Sequence, residues 1–536
     1  MSLSSYRTSP DHTDTGWPRG VKYIVGNEGC ERFSFYGMKA ILYVYLAHLY
    51  QLTGAEGAEN LATADVHLFI ALTYGLGLIG AILAEKLLGK YKTILWLSIV
   101  YCIGHGALAV FEGSMEGTRF GLFLIAVGAG GIKPCVSSHV GDQFGRANWF
   151  RIERVFQYFY WIINFGAFFS TLLIPWIMKE YGYSIAFAIP GILMLVATVF
   201  FWLGRKVFIH VPPSPGNGLG FMDMLIGTIL SMVVLIPLIF GPAVGMNLFA
   251  TISIALFCLI IGVQLFNRRQ RRAPDSSFLA VVMSAMGLSP HGRRQSDPGK
   301  YKDHWFFARA ARVHGEKAIE GPHAVFRVCG IFLFVSVFWA LFDQHASSWV
   351  RQAKMMDLNV DLGFWQGTLL ASQISAANPI MVMALIPLTS FAIYPAITKL
   401  GFTMTPLRRM TMGMIVASLS FVYTALLQAQ LEAGVTLSVG WQIISYLIIT
   451  LAEVMVSITG LEFAYTQAPK SMKSIIMGFW LLSVSFGNVI AAFIFKTFKD
   501  LSLSETFWVF AGLMMVAGII FGIISYFYQY QEFPQE

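Results

Sequence analysis

The chain has 536 residues, 56% of them hydrophobic and only 12% charged, with 45 Phe, 24 Met and 13 Trp. A soluble globular chain carries about 25% charged residues, so this composition excludes a soluble enzyme, a disordered chain and a conventional nucleic-acid binder. With a mean hydropathy of +0.63 the principal solvent is a bilayer, and the net charge of +8 is read first as a reporter of topology.

Residues 1–20 are polar, with Pro10, Asp11, Asp14 and Pro18. They lack the pattern of a cleavable signal, so they are expected to form a cytoplasmic tail, with the first apolar segment as a retained insertion signal. A membrane helix needs about 20 apolar residues. On that scale the spans follow at 21–50, 64–88, 92–111, 119–140, 153–178, 183–204, 222–243, 246–266, 324–350, 369–395, 408–430, 440–464, 473–496 and 504–528. Gly182 and Gly241-Pro242 punctuate the shortest connections. Five dispersed cysteines (Cys30, Cys102, Cys135, Cys258, Cys329) form no C-x-x-C pair and no disulfide framework; they are read as buried thiols.

Positive charge tests this count. With the N-terminus inside, 27 of the 37 Lys and Arg fall in inside segments, among them Lys470, and six fall outside. The bias survives removal of the long polar stretch 267–322, which opens with Arg268, Arg269, Arg271 and Arg272 and contains Ser289-Pro290. Fourteen spans with both termini cytoplasmic are therefore expected. Setting aside the hairpin at 222–266 as an insertion leaves six spans on each side of the linker. The expected organisation is a tail at 1–20, a six-helix bundle at 21–206, the hairpin at 222–266, a cytoplasmic linker at 267–322 and a second six-helix bundle at 323–530. Two such halves around a central cavity are the plan of many secondary transporters.

Ionisable residues inside spans each cost about 2.5–3.5 kcal/mol on insertion scales and need a cavity or a partner. The first span concentrates them in Glu28, Glu31, Arg32 and Lys39, with Tyr36 beside them. At 100° per residue these side chains and Phe35 fall within a stripe about 140° wide, which must face protein or water. A Glu–Arg lock between helices is the plainer reading, but four charges and a tyrosine exceed what one lock requires. Lys133, Asp343, Glu453 and Glu462 are the other intramembrane charges, with Asn164 and Asn378 as amides. Lys133 follows Gly128-Ala129-Gly130-Gly131, whose small side chains permit close backbone approach.

Arg32 and Lys133 lie in the first half and Glu453 in the second. A cavity between the halves would have one cationic and one anionic wall, a polarity matched by a small zwitterion. A bare ion would leave one wall unpaired. Glu28 or Glu31, next to a cation, could couple transport to protons, because protonation removes the attraction for Arg32. His67 is a second candidate proton site; His105, His139 and His345 lie at membrane depth too. The eleven histidines show no metal spacing, and there is no H-E-x-x-H, Walker A loop or G-x-S-x-G elbow. No enzyme activity, metal or other cofactor is expected.

Five ordered segments carry a resemblance. Glu28-x-x-Glu31-Arg32-Phe33-x-Phe35-Tyr36-Gly37 resembles the E-x-x-E-R-F-x-Y-Y-G motif of the proton-dependent oligopeptide transporter (POT) family. Gly130-Gly131-Ile132-Lys133-Pro134, Phe156 to Gly166, Phe338 to Gln344, and Gly460 to Pro469 with its Ala468 are similar to the family's later signatures. The resemblance implies an all-α polytopic membrane protein with the major facilitator fold, two six-helix bundles plus a two-helix insertion. It implies proton-driven uptake of di- and tripeptides at a bacterial inner membrane, with protons, peptide and the lipid bilayer as partners and no nucleic acid.

Carried over by position, Arg32 and Lys133 would face the peptide carboxylate and Glu453 its amino terminus. Asn164 and Asn378 would bond the peptide backbone, while Tyr36, Tyr74, Trp339 and Trp480 would line side-chain pockets. Glu28, Glu31 and His67 would couple protons, and Lys39 and Asp343 would pair across the bundles as a gate. Phe35 departs from the motif's first tyrosine, Glu85 stands where Asp is usual, and His345 replaces a common glycine. A member specialised for nitrate is the main alternative, which Glu453 disfavours because an anion site gains nothing from a carboxylate. A channel has no need of opposed charged walls, and an intramembrane enzyme lacks a nucleophile–base pair.

Overall fold

In the computed structural model the structure describes residues 6–289, 296–361, 363, 366–467, 469 and 472–530. Pro290 of the linker, Ala468 and Lys470 lie outside the described residues. Among the described residues, twelve helical stretches are long and apolar enough to cross a membrane. One of them, Arg154–Lys206, has 53 residues and is broken at Gly182, whose φ of 84° and ψ of 174° leave the helical region. It therefore makes two crossings. Only glycine tolerates that backbone without strain, which is why the chain turns there. The helix Val21–Leu52, with 32 residues, adds the remaining crossing; it is less apolar than the twelve. Fourteen crossings result, as the hydropathy pattern predicts.

Local sequence fixes several ends. The Ser114 side chain accepts from the Gly117 amide at the start of Met115–Gly141. Ser502 and Glu505 form a reciprocal capping box for Leu503–Phe527. Pro406 opens Pro406–Glu432, where its missing N–H has no cost. Other ends differ from the hydropathy reading. The ninth crossing begins at Glu316 and is helical to Phe342, then continues as a 3-10 turn, Asp343–Ala346, and a short helix, Ser348–Ala353. The linker is more structured than its polarity implies. It holds helices Phe278–Ala285 and Ala308–His314, and Val281, Tyr301, Phe307, Ala310, Ala311 and Ile319 share a small core. Two three-residue strands, Asn359–Asp361 and Gln366–Thr368, pair antiparallel with Asn359 opposite Thr368. A hydropathy scan has no signal for so short a hairpin.

Two large apolar cores follow the two halves of the sequence. One draws on residues from Val21 to Ile239 together with Val350. The other runs from Val325 to Phe521 and adds Ala64 and Leu68. Those last residues mark where helix Ala58–Gly75 packs against Lys473–Thr497 and joins the halves. Within the first half the glycine-rich segment before Lys133 does what its composition predicts. A Cβ at Gly80 would lie 2.2 Å from the Gly131 Cα, so the two backbones are in direct contact.

Candidate functional site: a cavity and a buried ion-pair layer

A cavity of about 200 Å³ lies between the halves. Helix Val21–Leu52 supplies Tyr36 and Lys39 to its wall, the second crossing Tyr74, and helix Ile152–Leu203 Tyr160 and Asn164. From the other half come Trp339, Asp343, Asn378, Glu453 and Ser457. Glu453 ends the helix Gln442–Glu453, and the next five residues, Val454–Ile458, are π-helical. The wider turn brings Glu453 and Ser457 to the same wall, and such stretches recur at functional sites.

The polar groups on this wall are positioned by neighbours. Asn378 Nδ2 donates to Glu453 Oε2 at 2.8 Å and to Thr450 Oγ1 at 3.1 Å. Asn164 Nδ2 donates to the Tyr160 carbonyl at 2.9 Å, which leaves its carbonyl oxygen available. The Trp339 indole N–H is buried without an acceptor, a donor ready for a ligand.

At one end the cavity is closed by Lys39 Nζ, which donates to Asp343 Oδ1 at 2.7 Å across 304 residues of sequence. Both side chains are only 7% exposed. The second Asp343 oxygen accepts from Asn488 Nδ2 at 2.8 Å, and the Asn488 carbonyl lies 2.7 Å from His67 Nδ1. That orientation makes Nδ1 the donor, and Ser347 Oγ, 3.1 Å from Nε2, completes the ring's partners. His67 is thus tied to the closing pair through one amide. Nearer the end of the first helix, Arg351 pairs with Glu59 at 2.5 Å and donates to Asn60 at 2.7 Å, again between halves.

The remaining charges form a second layer, behind the cavity wall. Arg32 Nε lies 2.7 Å from Glu28 and 3.4 Å from Glu31; Lys133 Nζ lies 3.5 Å from the other Glu31 oxygen. Glu31 is 1% and Lys133 5% exposed, and neither closes a hydrogen bond. Lys133 instead stands over the Phe35 ring at 4.0 Å, with Tyr74 at 5.8 Å. The phenylalanine that replaces the motif tyrosine therefore acts as a cation–π face for the lysine.

Of the expected substrate contacts, Tyr36, Tyr74, Asn164, Trp339, Asn378 and Glu453 line the cavity together, with Lys39 and Asp343 at its end. Arg32 and Lys133 do not line it; Glu28 and Glu31 hold them. Trp480 also differs from expectation. It sits behind Trp339, ring centroids 6.0 Å apart and nearly perpendicular, and against Phe332, so it buttresses the wall. Glu462, read from sequence as an intramembrane charge, is exposed. Tyr160, Asn488 and Ser347 carried no role in the sequence reading. Asn488 had the same signal as Asn164 and Asn378, an amide inside an apolar span. Among the described residues no three His, Cys, Asp or Glu are grouped to hold a metal ion.

Two helical halves around a polar cavity, with ion pairs at membrane depth, define a secondary-carrier type of membrane protein. Residues 91–509 match the family profile described as PTR2, POT family. The chain is 33% identical over 472 residues to human solute carrier family 15 member 2, covering 85% of this chain and 55% of that protein. To Drosophila melanogaster peptide transporter family 1 it is 32% identical over 430 residues, 78% of this chain and 48% of that one. It thus spans about half the length of these animal relatives. Among solved structures, the in meso crystal structure of the POT family transporter PepTSo superposes with a TM-score of 0.76 at 36% identity, covering 95% of this chain and 98% of the other. An auto-inhibited POT family peptide transporter gives 0.75 at 35%, covering 96% and 98%. This chain belongs to the POT family, and it is an integral membrane protein with the family's fold.

Proposed function

We propose that the protein is a proton-coupled symporter that imports di- and tripeptides by alternating access. The observation that carries this reading is the division of charge around one cavity, with Glu453 on one wall and the cations Arg32 and Lys133, held by Glu28 and Glu31, behind the other. A free peptide amino group would pair with Glu453, whose orientation Asn378 holds. Its backbone would bond Asn164 and Asn378, and Tyr36, Tyr74 and Trp339 would surround its side chains. Trp480 would act on the pocket only through Trp339.

Coupling follows from competition for cations. Arg32 and Lys133 are held by Glu28 and Glu31 at 2.7–3.5 Å. A proton on Glu31 removes its claim on both, and a peptide carboxylate can take its place. Charge-assisted bonds of this kind are the strong ones, so proton and peptide would favour the same rearrangement. His67 would sense the closing pair through Asn488, and Lys39–Asp343 would break when the halves open at that end. The relatives named peptide transporters support the substrate class, and peptide, protons and lipid are the partners we assign.

We assign the chain to a bacterial inner membrane with both termini cytoplasmic, from the distribution of Lys and Arg. The division into a tail (1–20), bundles (21–206 and 323–530), inserted hairpin (222–266) and linker (267–322) belongs to the same proposal. The test is uptake of labelled dialanine into proteoliposomes under an inward proton gradient. Gradient-dependent uptake is expected. Uptake indifferent to the gradient would overturn symport, and nitrate transport in its place would favour the anion reading.

A further inference from the structure

A second polar system lies inside the first half around Glu31, and none of its residues lines the cavity. Helices Val21–Leu52 and Lys90–Val110 are separated by one crossing and so run in the same direction. Ser34 Oγ meets His105 Nε2 at 3.0 Å, which fixes an offset of 71 residues between them. One turn earlier Tyr101 comes near Glu31, and Asn27 and Ser98 lie a further turn along their own helices. Asn27, Glu31 and Ser34 recur at i, i+4 and i+7, while Ser98, Tyr101 and His105 recur at i, i+3 and i+7. Each set occupies one face of its helix. Seven residues at about 1.5 Å span about 10 Å of each helix.

All six side chains are at most 1% exposed, yet Ser34–His105 is the only hydrogen bond between the two sets. Both amide atoms of Asn27, both oxygens of Glu31, and the hydroxyls of Ser98 and Tyr101 have no hydrogen-bond partner. Tyr101 has Glu31 and Ser34 as electrostatic neighbours. The far ring nitrogen of His105 faces the Phe187 backbone, short of a hydrogen bond. Buried polar groups are almost always satisfied by protein or by bound water, and a buried water typically makes about three bonds. Here six polar atoms, on Asn27, Glu31, Ser98 and Tyr101, have no protein hydrogen bond, although Glu31 keeps its ion pairs with Arg32 and Lys133.

We propose that the buried polar groups between Glu31, Ser34, Tyr101 and His105 hold a water that connects Glu31 to His105, with His105 as acceptor of the proton that Glu31 carries and Tyr101 as a positioning residue for it. The idea rests on the symport reading given above. The Glu31 O–H bond breaks, water and the Ser34 hydroxyl each accept one proton and release one, and an N–H bond forms at His105 Nε2. Glu31 becomes the anion and His105 the cation, so one proton stays within the bundle in either form. The groups facing Glu31 are Glu28, Arg32 and Tyr36 from its own helix, Tyr74 from the second crossing, Lys133 from Met115–Gly141 and Tyr101 from Lys90–Val110. Those facing His105 are Ser34 and Tyr101. From the other packed helices it meets Gly191 and the Phe187 backbone of Ile152–Leu203, with neighbouring Gly104 against Gly121 and Ile125. None of these carries a charge.

Hydroxyl-radical footprinting by X-ray radiolysis of the full chain in nanodiscs tests the site directly, because bound water oxidises the side chains it touches. Tyr101 should be modified at least fivefold faster than Tyr446, which is equally buried but donates to the His345 carbonyl. Equal protection of the two would overturn the water site. For the relay, His105→Gln and Tyr101→Phe should lower gradient-driven dialanine uptake at least fivefold and shift its pH profile. Peptide counterflow without a gradient should stay within twofold. Equal losses in both assays, or no change in either, would overturn the relay. If both variants fail to fold, the wild-type footprint still decides the site. Loss of gradient dependence in the wild type would refute symport alone, since the footprint does not depend on transport.

Discussion

Two sets of buried ion pairs lie within a few helical turns of each other, and they differ in what could break them. Lys39–Asp343 joins the halves, and its Asp343 is also tied to His67 through Asn488. Separating the halves breaks it, whatever the protonation of the bundle. Glu28, Glu31, Arg32 and Lys133 all belong to the first half. Rigid motion leaves that set intact; a proton or a competing carboxylate changes it. A carrier needs both kinds, one that responds to shape and one that responds to charge. The contrast also explains their geometries. The closing pair has a direct 2.7 Å bond and a second partner. The Glu31–Lys133 pair is 3.5 Å long with no hydrogen bond, a contact that can be exchanged at little cost.

This contrast can be broken from either side. The largest effect is expected from Lys133→Ala. Removing one partner of a buried pair costs about 3–5 kcal/mol, and gradient-driven uptake in proteoliposomes should fall about 100-fold or more. Uptake above half of wild type would remove Lys133 from the coupling layer. Next in size is Lys39→Asp, which places two carboxylates at the closing contact and should hold the halves apart there. Spin labels on the first helix and on Ser348–Ala353 should report longer distances, and the swapped pair Lys39→Asp with Asp343→Lys should restore the shorter ones. Failure of the swap to restore them would mean that Asn488 and His67, rather than the ion pair, set the closure.

Glu453→Gln should act on affinity more than on closure. Loss of a charged hydrogen bond is worth about 1.5–3 kcal/mol, so peptide binding by calorimetry should weaken about 10- to 100-fold while label distances stay unchanged. The smallest effect is expected from Phe35→Leu, which removes the ring under Lys133. A cation–π contact contributes about 0.5–2 kcal/mol, so the melting temperature should fall by a few degrees with uptake retained. A larger drop in uptake than in stability would show that the ring aims Lys133 as well as stabilising it.

Much of this was legible in the sequence because membranes impose a simple rule. Apolar runs of the right length read as crossings, and any charge within them stands out, as Glu28, Arg32, Lys133 and Glu453 do. What sequence could not supply was depth and distance. Arg32 and Lys133 share a helix face or level with cavity residues, but only geometry reveals that carboxylates hold them behind the wall. Trp480 was expected at the surface of the pocket, and an aromatic one layer back has the same sequence signal. Asn488 was missed because an amide's role depends on what lies across the interface, here Asp343 and His67. The linker's helices were hidden for a different reason. Their core of six residues is too small to outweigh a polar composition.

The touching backbones of Gly80 and Gly131 bear on how motion is transmitted. With no side chain between them, the second and fourth crossings meet backbone to backbone at this point. Lys133 stands two residues beyond that weld. A tug on its ammonium group therefore has no slack to take up locally, and it reaches the second crossing, which carries Tyr74 at the cavity and His67 beneath the gate, as a displacement of the whole strut.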